Sequence, residues 1–147
     1  MLKKKKLIIC NVTLLVFAII ALASGLAVEE LKGETLLGIP YKGIVLIHAS
    51  SAFTMLCVAT YHIHLNLGAK AWWQKIVQQK KIISRLLYIF LILLGLSSTL
   101  ALIMWLYTFE HNFVGGVHGK IGLAFIFLCV LHVSGRWKWF KSLISSK

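Results

Sequence analysis

Four apolar runs, each near the roughly 20 residues that a helix needs to cross a bilayer, constrain this chain more than any other feature. They cover about 7–28, 43–67, 82–107 and 117–139. Lipid offers no water to satisfy backbone N–H and C=O groups, so such runs fold as helices. The single proline, Pro40, falls between the first and second runs and interrupts neither. The connections are short, which makes consecutive helices antiparallel neighbours. The expected fold is therefore all-α, an integral membrane four-helix bundle. Composition agrees, because 59% of the 147 residues are hydrophobic and only 14% are charged. A soluble domain of that size could not hide so much apolar surface. Membrane lipid is the first expected partner.

The net charge of +12 does not point to nucleic acid, because the basic residues flank apolar runs and do not build one soluble basic face. Lys3 to Lys6 precede the first run, Lys70, Lys75, Lys80, Lys81 and Arg85 surround the link between the second and third, and Arg136, Lys138, Lys141 and Lys147 follow the fourth. Four crossings put all of these on one side. The other side has Lys32, Lys42 and Lys120 with all four acids, Glu29, Glu30, Glu34 and Glu110. The positive-inside rule then makes both termini cytoplasmic, with Trp72, Trp73, Trp137 and Trp139 as an aromatic belt on that face. The "MLKKKK" start followed by an apolar run and "ALASGLA" also resembles a signal peptide. The run is long for one, and a retained helix is expected.

Within this greasy frame the second run reads "HASSAFTMLCVATYH", from His48 to His62, and the fourth reads "HGKIGLAFIFLCVLH", from His118 to His132. Both intervals are 14 residues. Such a step rises about 21 Å along a helix and brings the side chain back to within about 40° of its starting direction. Each helix therefore carries two histidines on one face, one toward each membrane surface. The second and fourth helices run parallel, so His48 comes level with His118 on the outer side and His62 with His132 on the inner side. Two level imidazole pairs suit bis-histidine ligation of haem iron, which needs two opposed ring nitrogens on one axis. The expectation is two b-type haems between the second and fourth helices. No C-x-x-C-H is present, and "CVLH" at 129–132 lacks the second cysteine, so covalent haem attachment is unsupported. Cys10, Cys57 and Cys129 form neither a disulfide framework nor a zinc spacing.

A flat macrocycle between helices wants small neighbours. Ala52 and Gly122 lie four residues after the leading histidines, and Ala59 and Cys129 lie eleven after. Gly43, Gly95, Ser97 and Ser98 offer further room. Small residues also let membrane helices approach one another without any cofactor. Haem carboxylates want cations near the membrane surfaces; Arg136 and Lys70 are candidates inside, Lys120 and Lys42 outside. Each of these is also an ordinary interfacial charge. His64 lies about 200° round the helix from His62 and is assigned no ligand role. His111, in the loop before the fourth run, is a candidate contact for a quinone or a partner protein.

Single histidines in membrane helices often serve as interhelical hydrogen-bond groups, although intramembrane ionisable groups point to function by default. Another metal site or a proton pathway is the rival reading. It lacks acidic groups, since no Asp or Glu falls within the apolar cores.

The unit "HASSAFTMLCVATYHIHLN" and the ending "HVSGRWKWF" resemble the small bacterial membrane cytochromes b catalogued as a domain of unknown function. These are similar to the four-helix haem core of the larger cytochrome b of quinol-oxidising complexes. The resemblance covers about residues 15 to 140. It implies axial ligation by His48, His62, His118 and His132, and a multi-pass protein of the bacterial plasma membrane. It implies electron transfer across that membrane between a quinol or cytoplasmic donor and an extracytoplasmic redox partner, often a flavin-bearing protein. No catalytic side chain is assigned. The chain has no G-x-G-x-x-G fingerprint and no flavin, nicotinamide or iron–sulfur domain, so an electron-transfer subunit is expected before a ferric or quinone reductase.

Overall fold

The computed structural model of the chain describes residues 2–31, 34–68, 70, 72–109, 113–137 and 141, with backbone alone for 2–4, 72 and 73. The helices are α1 (Leu2–Leu31), α2 (Tyr41–Leu67), α3 (Trp72–Val77), α4 (Ile82–Thr108) and α5 (Phe113–Ser134). All but α3 are long and apolar enough to cross a membrane. The chain is a multi-pass membrane protein with four candidate spans, packed as an all-α bundle. The first residues of α1, the α2–α4 link and the end of α5 share one end, called here the terminal end. The α1–α2 and α4–α5 connections share the other, the distal end.

Local chemistry accounts for the boundaries. Pro40 caps α2 with an extended backbone (φ −67°, ψ 151°), and its carbonyl accepts from the amides of Gly43 (2.8 Å) and Ile44 (3.2 Å). Before it, Leu37 (φ 50°) and Gly38 (φ 80°) form a tight turn closed by reciprocal hydrogen bonds between Leu36 and Ile39. Two positive φ values in succession are the signature of the hairpin-type turn. Gly68 ends α2 at φ 78° and donates its N–H to the His64 carbonyl, a backbone shape that glycine adopts without a Cβ clash. Phe109 ends α4 in the left-handed region at φ 55° and donates its N–H to the Trp105 carbonyl. For a phenylalanine that shape costs on the order of 1 kcal/mol, and packing of its ring offsets it.

Two boundaries differ from the sequence expectation. The fourth span begins at Phe113 and ends at Ser134, where 117–139 is expected. "FVGG" looks like a loop because glycine is a weak helix former, yet lipid leaves the backbone no better option. Gly135 and Arg136 then form a turn. The α2–α4 link holds α3, anchored by Ile76 at 3% exposure; the sequence reading has a plain loop there. Of the expected aromatic belt, Trp137 is exposed, while Trp139 and the side chains of Trp72 and Trp73 lie outside the described residues. Glu110 and His111 lie outside them too.

The bundle is two antiparallel hairpins. α1 packs along α2, α4 packs along α5, and approaches between the hairpins are sparse. α2 and α5, expected to face each other, do so through side chains while their backbones stand apart. Lipid is as apolar as leucine, so close fit and small residues hold such helices together, not release of water. All four spans meet at the centre, where Met55, Ala59, Leu91 and Phe125 are buried with Leu14, Phe17 and Ala18 against them. A second cluster, Tyr41, Val45 and Trp105 with Val28, closes the distal end. Helical hydroxyls bond to carbonyls one turn back, as Thr54 does to Ser50 and Thr60 to Leu56, so they add no unsatisfied group to the lipid face.

Candidate functional site: two histidine pairs

The heptad step explains where the histidines stand. Met55 lies seven residues from both His48 and His62, and Phe125 seven from both His118 and His132. Seven residues are nearly two helical turns, so each pair of histidines shares a face with a central apolar residue. Met55 and Phe125 are 6% and 7% exposed. The central cluster thus separates two polar levels inside the bundle.

At the distal level the rings of His48 and His118 meet with centroids 6.0 Å apart and planes at 69°. Each ring is tied through Nδ1. His48 Nδ1–H donates to the Ala21 carbonyl of α1 at 2.9 Å, with the Ser24 hydroxyl 3.4 Å away. Ser24 itself donates to the Ile20 carbonyl at 2.6 Å. His118 Nδ1 pairs with the Ser97 hydroxyl of α4 at 3.2 Å, which also lies 3.2 Å from the Leu94 carbonyl. The carbonyl acceptor assigns the proton of His48 to Nδ1 and leaves its Nε2 as a bare lone pair, the state a metal ligand requires; the Ser97 hydroxyl, able to donate or accept, holds His118 by Nδ1 in either tautomer. Two metal–imidazole bonds of about 2.0 Å each, plus about 1 Å from each nitrogen to its ring centre, span about 6 Å. The observed spacing matches.

Gly25 completes the wall behind His48. A Cβ at that position would sit 2.9 Å from His48 Cε1 and 3.2 Å from Nδ1. No side chain larger than hydrogen fits there with the ring in place, so α1 grips the imidazole with a carbonyl, a hydroxyl and a bare backbone.

At the terminal level His62 and His132 line one cleft of about 240 Å³ with Asn66, Leu67, Gln79, Lys81, Ser84, Tyr88 and Arg136. Asn66 donates its amide to His62 Nε2 at 3.2 Å and to the His62 carbonyl at 2.8 Å. His62 Nδ1 is buried without a partner among the described residues. Buried polar atoms are rarely left so; with Nε2 accepting from Asn66, the orphan Nδ1 is an N–H that lacks an acceptor among those residues, and Nε2 is open to a bound group only when Asn66 lets go. Arg136 and Lys81 place two cations at this cleft.

The remaining expected residues divide. Ala59 is part of the central cluster and Cys129 packs on it, so both belong to the partition between the two levels. Ala52 is half-buried on α2. Gly122 belongs to the α4 contact instead of the α2–α5 seam: a Cβ there would meet only Leu94, at 3.8 Å. Gly95 lies against Leu56, and Gly43 against Ile39 and Pro40, so neither opens a pocket. Lys120 and Lys70 are exposed, and Lys42 lies over the Phe109 ring. His64 is exposed on the flank of α2. All three cysteines are free.

Sequence reasoning missed several residues. Asn66 could have been found, since it stands one turn after His62. Ala21, Ser24, Gly25, Ser97 as a hydrogen-bond partner, Gln79, Lys81 and Tyr88 come from other helices or links, and no local spacing ties them to a histidine. No cluster of three or more His, Cys, Asp or Glu able to cage a metal ion occurs among the described residues. Comparisons with protein families, with curated proteins and with solved structures find no match.

Proposed function

We propose that the chain is a membrane electron-transfer protein that holds two b-type haems, one on His48 and His118 and one on His62 and His132. The observation that carries this reading is the distal pair: two imidazoles at 6.0 Å, each held through Nδ1 by a flanking helix. Two protein ligands per level are too few for a caged ion, which takes four or more. They suit a macrocycle that brings four nitrogens of its own. Haem bound there supplies a one-electron iron couple. The protein's own part is to present the ligands, to keep water out with the central cluster, and to offset carboxylate charge with Arg136 and Lys81. The two levels lie about 21 Å apart along the helices, so together they bridge much of a bilayer core.

On the positive-inside reading the distal level is the extracytoplasmic one. Electrons then pass between a quinol or cytoplasmic donor and an extracytoplasmic redox partner, flavin-bearing in the resembling systems. A reduced-minus-oxidised spectrum of the purified chain is expected to show a b-type α band, with two haems per chain by pyridine haemochrome assay. Pure protein fully occupied by another metal and devoid of haem would refute the proposal.

A further inference from the structure

One buried donor of the bundle has no role in the histidine networks. Trp105 is 9% exposed, and its Nε1–H is buried without a hydrogen-bond partner among the described residues. An indole N–H can only donate, and a buried tryptophan usually finds an acceptor. The position of this one is informative. Trp105 packs on Tyr41 and Val45 of α2 and Val28 of α1, so it bridges the two hairpins. Val45 and Tyr41 precede His48 by three and seven residues, which puts them on its face and roughly 4 and 10 Å toward the distal end. On α4, Trp105 follows Ser97, the hydrogen-bond partner of His118, by eight residues, or about 12 Å. The orphan N–H therefore lies on the distal side of the imidazole pair, between the same two hairpins. That offset is of the order of the distance from a porphyrin's centre to its carboxylates.

The neighbours carry both signs of charge: the Glu29 carboxylate of α1 acts on Tyr41, and a cation stands on the other flank of Trp105. The Phe109 ring stands edge-on to Trp105 with centroids 5.5 Å apart, and Lys42 Nζ sits 4.5 Å over that Phe109 ring. An N–H donor and an ammonium group thus both stand against the Phe109 ring at the distal end.

We infer that Trp105 Nε1–H is the hydrogen-bond donor to a carboxylate of the macrocycle held by His48 and His118, with Lys42 as the countercharge. The inference rests on the haem reading above. Its test uses the full chain carrying His62→Ala, which leaves the distal site alone to bind haem. Trp105→Phe in that background is expected to keep a low-spin haem spectrum. Loss of haem to apomyoglobin should become at least tenfold faster, and the propionate bending band in resonance Raman spectra should shift. Reconstitution with haem dimethyl ester, which removes the carboxylate charge, should reproduce the fast loss in the parent chain. Its further effect in Trp105→Phe should be clearly smaller than in the parent chain, because the Trp105 contact is already gone and only the Lys42 charge contact is left to lose.

Unchanged loss and an unchanged propionate band in Trp105→Phe would overturn the inference while leaving the haem reading intact. Fully additive effects of ester and mutation would overturn it too. A haem-free wild-type chain would overturn both. Should Trp105→Phe fail to fold, the ester in the parent chain decides: loss no faster than with native haem overturns the inference.

Discussion

Gly25→Ala should weaken the distal site while improving the helix that carries it. The new Cβ would lie 2.9 Å from His48 Cε1 and 3.2 Å from Nδ1. Carbon atoms pack best about 3.5–4.0 Å apart, so the ring must retreat by roughly 0.6–1 Å. It has little freedom, because Nδ1 is bonded at 2.9 Å to the carbonyl of Ala21, one turn earlier on the same helix. Retreat stretches that bond, worth about 0.5–1.5 kcal/mol, and overpacking at close-fitted sites costs about 1–3 kcal/mol. A penalty of about 1–3 kcal/mol charged to the ligated geometry is a loss of about 5- to 150-fold in distal haem affinity. Helix propensity pushes the other way, since alanine exceeds glycine by up to about 1 kcal/mol in a helix interior. The assay is haem stoichiometry and haem transfer to apomyoglobin, with Gly119→Ala as the control. A Cβ at Gly119 meets nothing within 4 Å, although the residue adjoins His118. Gly25→Ala should lose distal haem and Gly119→Ala should not. Two fully retained haems in Gly25→Ala, with an unchanged spectrum and unchanged loss, would refute the argument that α1 grips His48.

The remaining expectations concern the other ligands and their supports. His48→Ala and His118→Ala should each remove the same haem, His62→Ala and His132→Ala the other, and His64→Ala neither; spectra of the five purified variants check the register. Ser97→Ala deletes the hydrogen-bond partner of His118 Nδ1 and should speed distal haem loss roughly 10-fold, with Ser97→Thr restoring it; equal loss from both sites would disprove the assignment. Lys81→Gln with Arg136→Gln removes two cations from the terminal cleft, which favours ferric over ferrous iron. A redox titration should show the terminal midpoint falling while the distal one holds, and a shift in the distal wave alone would contradict the placement.

The sequence carried the four helices and the levels of the four histidines because both are periodic along one chain. A run of 20 apolar residues needs only its length to be read. The step from His48 to His62 needs only 3.6 residues per turn, and Met55 and Phe125, midway in each interval, follow the same rule. What stayed hidden is lateral. Gly25 reads as one small residue in "ALASGLA", and nothing within α1 says that its missing Cβ makes room for a ring 23 positions later. Gly122 is a second example: four residues after His118 it reads as pocket lining, and its neighbour on α4, Leu94, is invisible from that spacing. A helix presents residues over a broad arc, and which part of the arc meets which neighbour is decided by packing between helices.

The same lateral contacts make the two levels unequal. The distal pair is organised by the helices beside it, with α1 holding His48 and α4 holding His118, each through Nδ1. The terminal pair lacks that lateral hold on His62, whose Nε2 is bonded to Asn66 of its own helix while Nδ1 has no partner among the described residues. Its cleft draws Gln79 and Lys81 from the α3–α4 link and Arg136 from beyond α5. A preset ring spends less of its binding free energy on being ordered. On the haem reading, the distal site should therefore fill first when the apo-chain is titrated, with the terminal site following as Asn66 releases His62 Nε2. The repeated histidine interval sets two equivalent levels; the helices and links that flank it tie one pair to its neighbours and leave the other lining an open cleft.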